Sequence, residues 1–215
     1  MQIAVILCLS GFGGAQTATG VDSGADRQSR IETMKKELRK IIKTERVEDF
    51  QRLQAQLAQL GQQEQLQQIL CEMDFGDPPA VRVNAIAKLS SVGGWFAVSS
   101  AAKFLGNNAE YIKPRSDLYG IYPSLQAIAL NALPHLVASP PLGEIPAKTS
   151  PMDYSSEIHI WMEWLRNNRD SLVQLQPTGD GLVSSESVCR KVLQHDLVNT
   201  YYHTHVKQHG TVKIN

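Results

Sequence analysis

The chain has 215 residues and carries 21 basic and 21 acidic side chains, so its formal net charge is zero. That balance excludes a global field favouring nucleic acid or an anionic membrane. With a short N-terminal segment set aside, about 195 residues remain, enough for one domain with a real core.

The segment set aside contains residues 3–9, IAVILCL, an apolar run of signal-peptide length. Small residues follow it, with a small-x-small cleavage site after Ala15. The opening MQ lacks the usual basic residue, and Leu7 stands where a lipoprotein signal has a small residue before its cysteine, here Cys8. The run is far shorter than the ~20 residues of a membrane-spanning helix. Residues 1–15 are therefore expected to be a signal peptide, with the mature chain periplasmic or secreted and not stably inserted in a membrane. If the segment is instead an ordinary unstructured N-terminus, the chain stays in the cytoplasm. Residues 16–29 read as a flexible lead-in. Two cysteines remain beyond it, Cys71 and Cys189. An oxidising compartment would let them pair, but their apolar neighbours (ILCEM, SVCRKVL) favour buried free thiols.

Helical periodicity then dominates, and the expected body of the fold is 30–172. Ile31, Met34, Leu38 and Ile41 step by three and four along a first helix at 29–43. Val47, Phe50, Leu53, Leu57 and Leu60 line a second, which Gly61 ends. Leu66, Ile69, Leu70 and Met73 form the buried side of a third at 62–73. The Gln-rich outer faces here are solvated, since Gln is a tolerable helix former. Next comes GDPPAVRVNAIAKL: Asp77 is an N-cap, Pro78 occupies the first helical position, and Val81, Ala85, Ile86 and Leu89 make the stripe. Gly93-Gly94 stops it, and another helix follows at 95–105.

The sequence repeats itself here. Shifted by 44 residues, Pro79, Val81, Ala85, Ile86 and Leu89 fall on Pro123, Leu125, Ala129, Leu130 and Leu133. Shifted by 32, Leu66, Ile69, Leu70 and Met73 fall on Val98, Ala101, Ala102 and Leu105. Two helix pairs of one pattern result, 62–91 and 95–137, the second with 12 extra residues between its helices. A helix pair cannot cover its own apolar face, and stacking like units makes a continuous core. Asp77, Pro78, Val81, Arg82, Ala85 and Leu89, followed by the Gly-Gly break, resemble the second helix of a HEAT-type repeat. In the second unit Gln126 stands at the Arg82 position. The resemblance covers about 62–137 and implies an all-α, right-handed α-solenoid serving as a scaffold or partner-binding protein rather than an enzyme.

Beyond the repeats, a Pro-rich connector at 139–151 leads into a helix at 152–168. Ser150 caps it, and Ile158, Trp161, Met162 and Leu165 point inward. It is expected to close the open end of the stack, with Trp161 in the core and Trp164 bordering it. Residues 173–215 read as less regular, with one short helix at 185–194 and an unassigned tail.

The insertion at 107–123 mixes Tyr111, Tyr119 and Tyr122 with Lys113 and Arg115, a combination enriched at recognition surfaces. The alternative is that its tyrosines pin the loop to the helices beneath. Together with Arg82 and Lys88, on the expected exposed side of the second helix, these residues are the candidate partner-binding set. His203, His205 and His209 are of a type that binds zinc, copper or nickel, but no Asp, Glu or Cys follows at ligand spacing. They give a metal-binding alternative to a solvated tail. Cys189 and His195 are over one and a half helical turns apart, too far for a nucleophile pair within one helix. Residues 26–46 hold eight basic and four acidic side chains; the pairing of Glu32 with Lys35 and Lys36 reads as an ordinary solvated face. No Gly-rich phosphate loop, metalloprotease motif, nucleophile elbow or paired-Cys zinc pattern is present. The expected function is noncovalent, with a protein partner, no catalytic residues, no cofactor and no nucleic acid; the remaining alternative is a structural subunit of a larger assembly.

Overall fold

In the computed structural model, residues 24–44, 46–77, 79–106, 125–145, 154–173 and 181–201 are described. Among them every regular element is helical and no strand occurs, as a 3.6-residue apolar period requires. Residues 1–15, the insertion at 107–123 and the tail histidines lie outside the described residues.

Helix α1 (Gly24–Thr44) buries Ile31, Met34, Leu38 and Ile41, the four positions marked by sequence spacing. It begins before the expected boundary, so residues 24–29 belong to a helix rather than to a flexible lead-in. Nothing after Gly24 breaks the helix, and Asp26 in its first turn complements the backbone dipole. Arg27 Nη2 also donates to the Leu60 carbonyl at 2.8 Å, fastening this turn to the end of α2. Helix α2 (Val47–Gln59) stops at Gly61, whose φ of +78° is open to glycine at little cost. The Gly61 N–H reaches the Ala58 carbonyl at 2.8 Å and the Gln62 N–H the Leu57 carbonyl at 3.1 Å, a Schellman closure that satisfies two terminal carbonyls.

Helices α3 (Gln63–Phe75) and α4 (Pro79–Val92) meet at a corner that only glycine fits. A Cβ on Gly76 would lie 2.6 Å from Val81 Cγ1 and press on the Glu72 carbonyl. Helix α5 (Gly94–Ala102) continues into a 3-10 turn at Lys103–Gly106. Helix α6 (Leu125–Ala132) ends in another at Leu133–His135, where Pro134 cannot extend a regular helix. Helix α1 packs on α2, α3 on α4, and α4 on α2, α5 and α6, so neighbours in sequence are largely neighbours in space.

The second helices of the two pairs correspond in burial as well as in sequence. Val81, Ala85, Ile86 and Leu89 are buried, and so are their partners Leu125, Ala129, Leu130 and Leu133. Arg82 Nε donates to the Gly76 carbonyl at 3.1 Å, and Gln126 Nε2 donates to the Leu105 carbonyl at 2.6 Å. Each side chain thus satisfies a carbonyl at the end of the preceding helical segment, where backbone acceptors lack intrahelical donors. Arg to Gln at this position changes the reach and keeps the bond.

Helix α7 (Ser155–Val173) lays Trp161, Leu165 and Leu172 against the main core and packs on α5. Met162 does not point inward as expected; it is 46% exposed. The buried stripe leans the other way, towards Trp164, whose ring meets Trp161 edge-on at 5.6 Å. The larger aromatic surface takes the covered side. Arg169 adds a cation over the Trp95 ring of α5 at 5.9 Å.

The last helices turn back. Helix α8 (Glu186–Gln194) packs on α3, and α9 (Leu197–Tyr201) packs on α2. Ser185 caps α8 by accepting the Val188 N–H, as a Ser before an apolar stripe should. The C-terminal segment therefore holds two helices, the second in a stretch that periodicity left unassigned.

Gln126→Leu removes the donor to a buried carbonyl while keeping the side chain's bulk. It is expected to lower stability by about 1–3 kcal/mol, read as an earlier midpoint in urea denaturation.

Candidate functional site

Three polar residues occupy positions of the apolar stripes. Gln54 is four residues after Phe50 on α2, Glu72 three after Ile69 on α3, and Lys88 three after Ala85 on α4. Packing α4 on both α2 and α3 brings them together inside the protein. Lys88 Nζ forms an ion pair with Glu72 Oε2 and donates to Gln54 Oε1 at 2.6 Å. Gln54 Nε2 donates to Glu72 Oε1 at 2.9 Å, closing a three-membered ring of contacts. A fourth member comes from the far end of the chain: the carboxyl of Asp196, immediately before α9, which interacts electrostatically with Glu72 and Lys88. Its Oδ1 accepts the Val198 N–H at 2.8 Å and its carbonyl the Thr200 N–H at 2.9 Å.

The node is closed to water. Gln54, Glu72 and Asp196 are each 0% exposed and Lys88 is 7% exposed. Lys88 is therefore not on the exposed side of its helix, contrary to expectation. Its place three residues after Ala85 turns it inward, and burial without a counter-charge would cost several kcal/mol; Glu72 supplies that charge. Burial and the adjacent Glu72 charge push the Asp196 carboxyl well above the usual carboxylate range, with Lys88 opposing. Burial and the neighbouring Glu72 thus both favour the protonated form of Asp196, the form able to donate to another carboxyl group.

Beside this node the C-terminal segment is fastened covalently. Cys71 and Cys189 form a disulfide with their Cα atoms 5.0 Å apart, 118 residues apart in sequence. The expectation of free thiols is corrected. Both residues are buried as foreseen, but α8 lies against α3 and brings them within bonding range. Cys189 is accordingly no nucleophile. Along the same helix, Gln67 Nε2 donates to the Val183 carbonyl at 2.8 Å and Gln67 Oε1 accepts the Val183 N–H at 3.2 Å. Ser184 Oγ donates to Asp74 Oδ2, which also lies 3.6 Å from Lys103 Nζ. Residues 71–74 thus carry, in order, the disulfide, the node carboxylate, a core methionine and the acceptor for Ser184.

Of the sequence-predicted binding residues, Arg82 is half-buried and engaged with Gly76, and Lys88 belongs to the node. Tyr111, Lys113, Arg115, Tyr119 and Tyr122 lie outside the described residues, as do His203, His205 and His209. Among the described residues no group of three His, Cys, Asp or Glu side chains is placed to hold a metal ion. Sequence reasoning missed Gln54, Glu72 and Asp196. The first two were signalled by polar residues at stripe positions, whereas Asp196 carried no local sign. Comparisons with protein-family models, curated proteins and solved structures find no match.

Chemically, the node gathers one buried ammonium and two carboxyl groups and joins α2, α3, α4 and the start of α9. Lys88→Met leaves the Glu72 charge buried and unpaired, at an expected cost of about 3–5 kcal/mol. Replacing Gln54, Glu72 and Lys88 together by Leu, Leu and Met recovers most of that loss; urea midpoints of the two variants check this.

Asp196 sets a pH dependence of determined sign. Its folded pKa lies above the unfolded value, so its stabilising contribution is complete below the unfolded pKa. That contribution is lost as pH rises through the folded pKa. Asp196→Asn, which keeps a donor for Glu72 and an acceptor for Val198, is expected to remove this loss. Its melting temperature relative to the parent rises with pH across that range.

Proposed function

We propose that this chain is a non-catalytic, HEAT-like α-solenoid module that acts outside the cytoplasm, in the periplasm or envelope, and binds a protein partner. The Cys71–Cys189 bond carries the reading. Disulfides persist in oxidising compartments, and the apolar run at 3–9 followed by small residues supplies a route to one. A cross-link enclosing a loop of this length stabilises the fold by about 5 kcal/mol in the chain-entropy account, so the fold benefits from such a compartment.

The solenoid reading is supported by the likeness of the second helices of the two pairs, in buried stripe and in the Arg82 and Gln126 contacts. The binding role is supported by the closure of the polar node. Gln54, Glu72, Lys88 and Asp196 face one another, so a partner meets the outer helix faces and the insertion at 107–123. The mechanism is geometric: a stiff helical frame, cross-linked between α3 and α8, carries the candidate binding residues Tyr111, Lys113, Arg115, Tyr119 and Tyr122 in the insertion at 107–123.

The test uses the chain expressed with its own N-terminal segment. It is expected outside the cytoplasm, beginning at Gln16 and with Cys71 and Cys189 linked in a non-reducing peptide map. Used as bait in that fraction, it is expected to retain a specific protein that is lost when residues 108–119 are deleted. Cytoplasmic recovery with two free thiols overturns the address, and binding unchanged by the deletion clears the insertion of a role.

A further inference from the structure

The C-terminal segment is fastened unevenly. Helix α8 is held covalently, through Cys189 to Cys71 of α3, and the residues leading into it are held by Gln67 and Asp74. Helix α9 has no covalent tie. It packs on α2 and α8, burying Leu197 and Val198 in the apolar cluster shared with α1 and α2. Between the two helices lies a joint of two residues, His195 and Asp196. Their N–H groups close α8 onto the Val192 and Leu193 carbonyls at 3.2 and 3.3 Å. A five-residue helix does not hold itself together in water, so α9 stays formed only while it is docked.

Asp196 acts on both sides of that joint. Its Oδ1 and its carbonyl accept the Val198 and Thr200 N–H groups and so start α9, while the residue itself is sealed in the polar node. Among the described residues, the charges that act on its carboxyl are Glu72 from α3 and Lys88 from α4. Helix α2 contributes the neutral Gln54, and His195, next in the chain, is exposed. Lys88 is already committed to Glu72. A protonated Asp196 leaves that pair balanced, whereas an ionised one sets two carboxylates against a single ammonium in a site closed to water. Burying an excess charge costs about as much as burying two aliphatic side chains gains. Ionisation is therefore enough to free α9 and too little to unfold the disulfide-bound body.

We propose that α9 is a pH-operated latch: docked on α2 at low pH, it swings off about the His195–Asp196 joint as pH rises, while α8 stays in place. The sign follows from Asp196, whose docked carboxyl is held above the usual carboxylate range by burial first and by Glu72 second, with Lys88 opposing. Release carries that carboxyl into water, where it regains its ordinary value and ionises. Leu197 and Val198 leave with it, uncovering the apolar side of α2 on which α9 rests. The apolar surface the protein shows to its surroundings thus follows their pH.

Amide hydrogen exchange of the full, disulfide-linked chain tests this, expressed as protection factors so that the intrinsic pH dependence of exchange is removed. The Val198 and Thr200 amides are expected to lose protection about ten-fold per pH unit between the released and docked pKa values of Asp196, as linkage to one proton requires. The Cys189 amide, bonded within α8 to the Ser185 carbonyl, keeps its protection. Asp196→Asn does not ionise and is expected to abolish the slope. Glu72→Gln is expected to abolish it by another route, because Asp196 then serves as the carboxylate for Lys88 and stays docked when ionised. Where Asp196→Asn leaves α9 open at every pH, Glu72→Gln decides alone. Flat α9 protection in the parent overturns the proposal, as does loss of α8 and α9 protection together. So does a Glu72→Gln chain that keeps the slope or leaves α9 open at every pH.

Discussion

The ion pair between Glu72 and Lys88 is the constraint around which the described helices are arranged. Three apolar clusters meet there. Ala55, Met73 and Leu89 belong to the main core; Phe50, Leu53, Leu197 and Val198 to the cluster beneath α1; Cys71 and Cys189 to a small third cluster. Each member of the node is adjacent in sequence to residues of those clusters, so moving one helix moves a charge away from its partner. Apolar packing tolerates small slides, whereas a buried ion pair with shared hydrogen bonds does not. Its contribution is less to total stability than to fixing how α2, α3 and α4 sit together, since apolar replacements of such pairs are often as stable.

Much of the fold was legible in the letters, for reasons that differ among elements. The stripes of α1, α3 and α4 read correctly because those helices bury one face, and a one-sided environment imprints its period on the sequence. The start of α1 read late because residues 24–29 are exposed throughout and so carry no apolar signal. Met162 was misjudged because periodicity fixes a stripe's direction only to within one side chain, and Trp164 competed for the same covered sector. Lys88 illustrates a different failure: assigning charges to the surface is sound on average and wrong where a counter-charge waits inside.

Contacts between distant segments left almost no local trace, the open possibility that the two cysteines pair excepted. Cys71 with Cys189, Glu72 with Asp196 and Gln67 with Val183 each join residues more than a hundred positions apart. Nothing in either local neighbourhood announces the other. These same contacts require closing the longest loops, an entropic cost that sequence-local helix pairs avoid. The molecule therefore combines a neighbour-to-neighbour array with a returning C-terminal segment that binds its early helices, and these two parts differ in how much a sequence discloses.

The grip of Gln67 on residue 183 has a consequence of its own. A carboxamide that both gives to the carbonyl and takes from the N–H of one residue imitates a neighbouring strand, and it reads backbone rather than identity. The valine it holds leaves 54% of its surface in solvent. Variation at 183 should thus be broadly permitted, with proline excluded for want of an N–H, while the glutamine opposite has almost no substitute of the same length and two-sided chemistry.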